Sequence, residues 1–252
     1  MTEPLLEIRG LCKHFGGVIA TDHLDLAVVP GGVHALIGPN GAGKTTLIAQ
    51  ICGEVASDAG QIVFAGRDIT ATPACERVTM GLARSFQITR IFGRLTVREN
   101  VALAVQARRG SSMRFWRPVA AEHALREEAD AFLAEFGLAA SAAQRAAGLP
   151  HAAQRQLEVA LAFACRPRLL ILDEPLAGLG ADDARPMIEL IAKLKERVTV
   201  VLVEHDMDAV FRLADMISVL VAGRVIASGL PDAIRDNVEV RKAYLGEDQA
   251  IE

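Results

Sequence analysis

The chain has 252 residues, enough to bury a full core as one large domain or one domain with a subdomain. Half of the residues are hydrophobic, but with one Trp and one Tyr the core must be aliphatic and Ala-rich. A net charge of −4 leans away from an electrostatic nucleic-acid binder, four scattered cysteines argue against a zinc site or disulfide framework, and no apolar run approaches the roughly eighteen residues of a membrane span.

Cys12, Cys52, Cys75 and Cys165 are therefore expected to be reduced core thiols. The N-terminal "MTEPLLEIRG" carries charge where a signal peptide needs an apolar stretch. A soluble chain, cytoplasmic or attached to a membrane through a partner, is the expectation. Residues 5–9 and 24–29 read as strands of a small antiparallel layer, separated by the turn-rich "FGG". Phe15 falls between them, and by itself reads as a core aromatic.

The central stretch is "ALIGPNGAGKTTLI", residues 35–48. An apolar strand from Val33 to Ile37 leads into a glycine-rich turn, and a helix follows from about Lys44. Gly38, Gly43, Lys44 and Thr45 fill the pattern G-x-x-x-x-G-K-[ST] of a nucleotide P-loop, with Pro39, Asn40, Gly41, Ala42 and Thr46 completing the cradle. Glycines at 38, 41 and 43 let successive N–H groups turn inward around a phosphate. The helix start adds unpaired N–H groups and the positive end of its dipole. Lys44 has the reach for the β- and γ-phosphates, and Thr45 offers a hydroxyl to Mg²⁺. Average residue frequencies produce such a pattern by accident in about one chain of this size in a hundred.

Residues 57–69 read as turn, short strand, turn. From about Thr89 to Cys165 helix formers dominate. Leu125, Ala129, Phe132, Leu133 and Phe136 form one helical stripe, and Leu157, Ala160, Leu161 and Ala164 another, both predicted to pack inward. "RRGSSMRFWRP" (108–118) reads as a surface loop. The α/β pattern resumes with "RLLILDEP" (168–175), a strand buried on both faces. An amphipathic helix then runs to about Arg197, and "VTVVLVEHD" (198–206) forms a second buried strand. A hairpin around Ala222-Gly223 and short helices near 231–236 and 238–245 close the chain.

Ligands of open parallel sheets sit at the C-terminal strand ends. Three apolar strands here end in the P-loop, in Asp173-Glu174 and in Glu204-His205-Asp206. Asp173 is placed to hold Mg²⁺ as the acid of a Walker B strand, and Glu174 to polarise the attacking water. His205 offers a γ-phosphate contact, although a lone His after a strand is more often structural.

"GPNGAGKTT", "ARSFQ" ending in Gln87, "LLILDEP" and "VEHDM" follow in the order and spacing of ABC-transporter ATPase subunits, and the match spans nearly the whole chain. "FGGVIA", "RSFQITRIFGRLTVREN", "QRQLEVA", "LVEHDMDAVFRLAD" and "VRKAYLGE" resemble more narrowly the LivG-type subunit of branched-chain amino acid importers; urea-type importers share much of this wording. The resemblance implies an α/β fold: a RecA-like P-loop core with an antiparallel β layer (1–88 and 166–252) and a helical subdomain (89–165). It implies that Phe15 stacks on adenine, that Gln87 links Mg²⁺ and water to the helical lobe, and that His205 is the switch histidine. It also implies ATP and Mg²⁺ as cofactors, and a second ATPase subunit (LivF-type, or a second copy) paired head to tail. Two membrane permease subunits with a solute-binding protein upstream would hold the chain at the inner face of the cell membrane.

One motif departs from the family. Where L-S-x-G-Q is expected, the chain has Leu149, Pro150, His151, Ala152 and Ala153; Gly180 stands where Asp or Asn is usual. The cis half of an ATP site is intact, and the half offered to a neighbour is altered. An asymmetric pair is the leading expectation. A nucleotide-binding subunit with little turnover of its own, and a non-transport ABC ATPase, are the alternatives.

Overall fold

The computed structural model describes residues 3–85, 91–109 and 123–245. In chain order the elements begin with β1 (Leu6–Phe15), β2 (Val18–Val28), β3 (Val33–Ile37), α1 (Lys44–Cys52), β4 (Ala59–Phe64), β5 (Arg67–Asp68) and α2 (Ala74–Thr79). β6 (Leu82–Arg84), α3 (Val97–Arg108), α4 (His123–Glu135), α5 (His151–Ala164), β7 (Leu169–Asp173) and α6 (Ala181–Leu194) follow. The last are β8 (Thr199–Val203), α7 (Met207–Leu213), β9 (Met216–Val221), β10 (Arg224–Gly229), α8 (Pro231–Arg235) and α9 (Val238–Leu245). The chain divides into two compact units, one of residues 1–77 with 192–252 and one of residues 78–191.

The first unit holds the antiparallel layer and the P-loop strand. β1 pairs antiparallel with β2 and with β4, and β5 extends the sheet beyond β4. The two strands expected at 5–9 and 24–29 are thus longer, meeting in a hairpin at Gly16-Gly17. Phe15 is the last residue of β1 rather than a core residue between strands, and half of its surface is exposed. β3 lies between β8 and β9 and runs parallel to both, and β10 returns antiparallel to β9 through the Ala222-Gly223 turn. All five residues of β3 and all five of β8 are buried, which is why their sequences are unbroken apolar or β-branched runs apart from His34. Val210, Ile234 and Val240, from α7, α8 and α9, pack with Ala35, Ile37, Ile217 and Val219 of β3 and β9.

The second unit is mainly helical, with β6 paired parallel to β7. Thr96 starts α3 in a reciprocal capping box with Glu99. Phe132 and Phe136, on and just beyond α4, meet Phe163 of α5 at ring-centroid distances of 6.2 and 5.7 Å. The stripe of Leu125, Ala129, Phe132, Leu133 and Phe136 is buried, as its helical spacing predicts. In the second stripe Leu157, Ala160 and Ala164 are buried while Leu161 is only half-buried. The segment 108–118 lies outside the described residues from 110 onward; Arg108 still belongs to α3. The four cysteines are free thiols, but Cys75 is exposed and Cys165 half-buried, so only Cys12 and Cys52 are core residues.

Candidate active site

β3 delivers the chain into a loop that only glycine can follow at two points. A Cβ on Gly38 (φ +156°) would stand 2.0 Å from the Leu220 carbonyl oxygen, and one on Gly43 (φ +103°) would stand 2.1 Å from that of Ala20. The loop is pressed between β2 and β9, and the β9–β10 turn fastens it: Gly223 N–H donates to the Ala42 carbonyl, and Asp22 N–H to the Gly223 carbonyl. Gly43 is the N-cap of α1 and makes no side-chain cap, and the first turn of α1 contains no acid. The first turn of α1 therefore supplies no anion of its own to its amides and the positive end of its dipole. Lys44 is 6% exposed and turned into the loop, its Nζ donating to the Gly38 and Pro39 carbonyls at 2.5 and 2.9 Å. Thr45 is exposed at the same helix start, with Asn40 and Gly41 exposed on the loop and Thr46 half-buried.

The parallel pairing of β3 with β8 puts the ends of both strands on one edge, Leu36 opposite Val203. Glu204 follows β8 as a buried residue whose carboxylate accepts from the His205 backbone N–H at 3.1 Å. His205 is exposed, and Asp206 caps α7 by accepting from Ala209 N–H. Phe15 stands on the exposed hairpin tip with Val18 and Ile19, and Lys13 Nζ lies 5.4 Å from its ring centroid. Beneath the loop, His34 of β3 is 5% exposed and pairs its Nε2 with the Ser218 hydroxyl at 2.8 Å. Burial lowers its pKa to about 4, so it is neutral at physiological pH.

In the second unit β7 ends at Asp173, which is 2% exposed and accepts from Arg84 Nη2 at 2.8 Å. Its backbone N–H donates to the Ser85 hydroxyl at 3.3 Å. The next residue, Glu174, is half-buried with φ +49°, a left-handed conformation unusual for a residue with a side chain. Such strain is concentrated at functional positions because the surrounding structure must enforce it. Gln87 lies outside the described residues.

The altered motif occupies the start of α5. Leu149 is buried, Pro150 is the N-cap with no side-chain cap hydrogen bond, and the helix begins at His151. Ala152 and Ala153 are half-buried in the first turn, and Gln154 Nε2 closes the turn on the Leu149 carbonyl at 3.0 Å. The exposed His151 ring lies against Gly178, where an added Cβ would meet its Cε1 at 3.2 Å. Gly180 takes the place before α6, accepting from the Asp183 and Ala184 N–H groups with its carbonyl.

The role of Arg84 is not legible from "ARSFQ" itself. An arginine on a short strand just before that glutamine is the signal available, but only the β6–β7 pairing shows that it meets Asp173. The Ala20 and Leu220 carbonyls that dictate Gly43 and Gly38 carry no sequence signal, because they act through backbone atoms.

A P-loop on a parallel strand, with an antiparallel layer and a helical unit, defines an ATP-binding cassette, and the ABC transporter family matches residues 21–177. The chain belongs to that family and is an ATP-binding ATPase subunit of a transporter. A branched-chain amino acid ATP-binding cassette transporter family matches residues 224–250. The high-affinity branched-chain amino acid transport ATP-binding protein LivG of Escherichia coli is 36% identical over 98% of this chain and all of its own length. BraF of Pseudomonas aeruginosa, a protein with the same description, is 39% identical with the same coverage. A ribose import ATP-binding protein of Rubrobacter xylanophilus is 36% identical over 93% of this chain but 46% of its own length. A crystal structure of the ADP conformation of an ABC-transporter ATP-binding cassette superposes with a TM-score of 0.85 at 27% identity, covering 97% of this chain and all of that one. Within the family the chain is a LivG-type member.

Proposed function

We propose that ATP held by Gly38–Thr46 is hydrolysed with Glu174 as general base, and that the energy drives uptake of a branched-chain amino acid or a related small polar solute through a separate permease. The observation that supports this reading most is the start of α1: a glycine N-cap, no acid in the first turn and a lysine folded into the loop. Backbone donors there are set in advance for a polyphosphate. Phe15, exposed beside Lys13, suits a flat base, and His205 at the end of β8 suits the γ-phosphate. The Thr45 hydroxyl and the Asp173 carboxylate are hard oxygen donors of the kind Mg²⁺ takes, and Gln87 would add a third. When bound, the ion neutralises charge on the β- and γ-phosphates. Arg84 holds the Asp173 carboxylate in place.

We further propose that the chain works in an asymmetric pair. In a head-to-tail pair each nucleotide is covered by the partner's signature helix. Here that helix is N-capped by Pro150, which has no hydroxyl and no N–H, and carries Ala152 in its first turn, with a methyl group where glycine allows close approach. ATP on this P-loop would then be hydrolysed against a LivF-type subunit with a complete signature, while the partner's own nucleotide turns over slowly. Two permease subunits, with a solute-binding protein upstream, would keep the pair at the inner face of the cell membrane. Among the described residues no helix is long and apolar enough to cross a membrane.

Copurification tests the assembly. Two permeases and a second ATPase subunit should accompany the tagged chain, and solute-stimulated ATP hydrolysis by that complex should vanish with Glu174→Gln. A complex whose hydrolysis survives Glu174→Gln contradicts the assignment of the base. Recovery of nucleic acid or ribosomes instead would favour a non-transport ATPase.

A further inference from the structure

The far end of the P-loop helix carries a buried charge. Arg77 is 2% exposed, and its guanidinium donates to four carbonyl oxygens: Gln50 and Ile51 in the last turn of α1, at 2.8 and 2.7 Å, and Thr70 and Thr72, at 3.0 and 2.8 Å. It forms no ion pair among the described residues; it faces the negative end of the helix dipole and these carbonyls, and interacts electrostatically with the buried Cys52 thiol. The fit is close. Gly53, the left-handed C-cap of α1, could not bear a Cβ, which would come 2.8 Å from Arg77 Nε.

Burying an arginine without a carboxylate is costly, and a neutral side chain would fill the space without that cost. Two features connect the charge to the other end of the helix. α1 has nine residues, so by its rise of about 1.5 Å each the guanidinium sits about 14 Å from the helix start, with low-dielectric protein between. A chain of buried contacts also runs back to the loop. Gln50, whose carbonyl Arg77 holds, joins its side chain to the Thr21 hydroxyl at 3.0 Å and the Ser57 hydroxyl at 2.9 Å. Thr21 adjoins Ala20, the residue whose carbonyl abuts Gly43.

We propose that Arg77 is a positioning residue for nucleotide binding, fixing the C-terminal turn of α1 and lending its positive charge to the polyphosphate at the N-terminal end. The inference rests on the reading that ATP occupies Gly38–Thr46. The test is the ATP dissociation constant of the purified full chain, by calorimetry, alongside thermal unfolding without nucleotide. Arg77→Met should weaken ATP binding about tenfold, whereas Arg77→Lys, which keeps the charge, should stay within about threefold of wild type. Arg77→Gln, which retains donors for the carbonyls, takes the place of Arg77→Met if that variant does not fold, and the same tenfold loss is expected. Leu6→Ala, a core deletion in β1, supplies a destabilised control whose ATP affinity should not move.

Neutral variants that melt earlier yet bind ATP within twofold of wild type overturn the proposal, as does an Arg77→Lys as weak as the neutral forms. Lys44→Ala separates the two levels of failure. If wild type binds ATP, Lys44→Ala does not, and the neutral Arg77 variants bind normally, the inference alone falls. If wild type takes up no ATP, the P-loop reading falls and the inference with it.

Discussion

Two helix starts in this molecule face opposite demands. α1 begins after Gly43, in a left-handed conformation with no side-chain cap, and α5 begins after Pro150, also with none. At α1 the lack of a cap is matched by glycines pressed against the Ala20 and Leu220 carbonyls, a lysine in the loop and no acid in the first turn. At α5 the proline offers neither hydroxyl nor N–H, and alanines fill the first turn. The comparison teaches that an uncapped helix start becomes an anion site only when the loop before it brings the backbone to the ligand. α1 has that loop, and α5, entered through Pro150, does not.

The largest expected effect breaks the α1 side. Gly43→Ala must move the backbone of β2 or leave its left-handed conformation, and it should cost roughly 3 kcal/mol or more in chemical denaturation and abolish measurable ATP binding. Gly180→Ala, with open space around it, should leave stability within about 1 kcal/mol of wild type.

Acid should separate the two regions next. His34 titrates at about 4 in the folded protein against 6.5 ordinarily, so between these values the unfolded chain binds more protons than the native one. The stabilisation is therefore complete above pH 6.5 and is lost as pH falls toward 4, roughly 3 kcal/mol in all. Denaturation curves at pH 7.5 and 4.5 check this, with His34→Gln flattening the dependence. The loss should fall on the unit containing β3 and the P-loop, and a His34→Gln variant as acid-sensitive as wild type would contradict it.

Restoring the α5 side should sharpen the contrast. Pro150→Ser with Ala152→Gly and Ala153→Gln rebuilds the family motif, and should raise ATP turnover of the purified chain at least about tenfold without changing ATP affinity. The smallest effect is thermodynamic. Pro150→Ser alone places a good N-cap at α5 and should stabilise the protein by about 1 kcal/mol. A shift in the midpoint of urea denaturation reads it directly.

Much of this was legible in the sequence because it rests on local rules. The run before Gly38 predicts a buried parallel strand, and the glycine spacing with Lys44 predicts the loop and helix. The stripe of Leu125, Ala129 and Leu133 fixes the inner face of α4. What sequence could not supply depended on contacts between distant segments. Phe15 ends an extended strand because β1 pairs along its length with β2, which the short apolar run at 5–9 did not signal. Cys75 is exposed because it lies on the short helix α2, whose one buried residue is Arg77. Arg77 looks like an ordinary surface arginine until the α1 carbonyls are brought to it, and Arg84 until β6 is laid beside β7.

The central claim is that this chain has a working ATP-binding half and a defective signature half. Steady-state ATP hydrolysis by the purified chain alone, after binding has been confirmed and with Glu174→Gln beside it, tests that claim most directly. Tight binding with turnover barely above the Glu174→Gln background is the expected result. Brisk turnover abolished by Glu174→Gln would show that Leu149–Ala153 still serves as a signature, and the asymmetric pair would have to be abandoned.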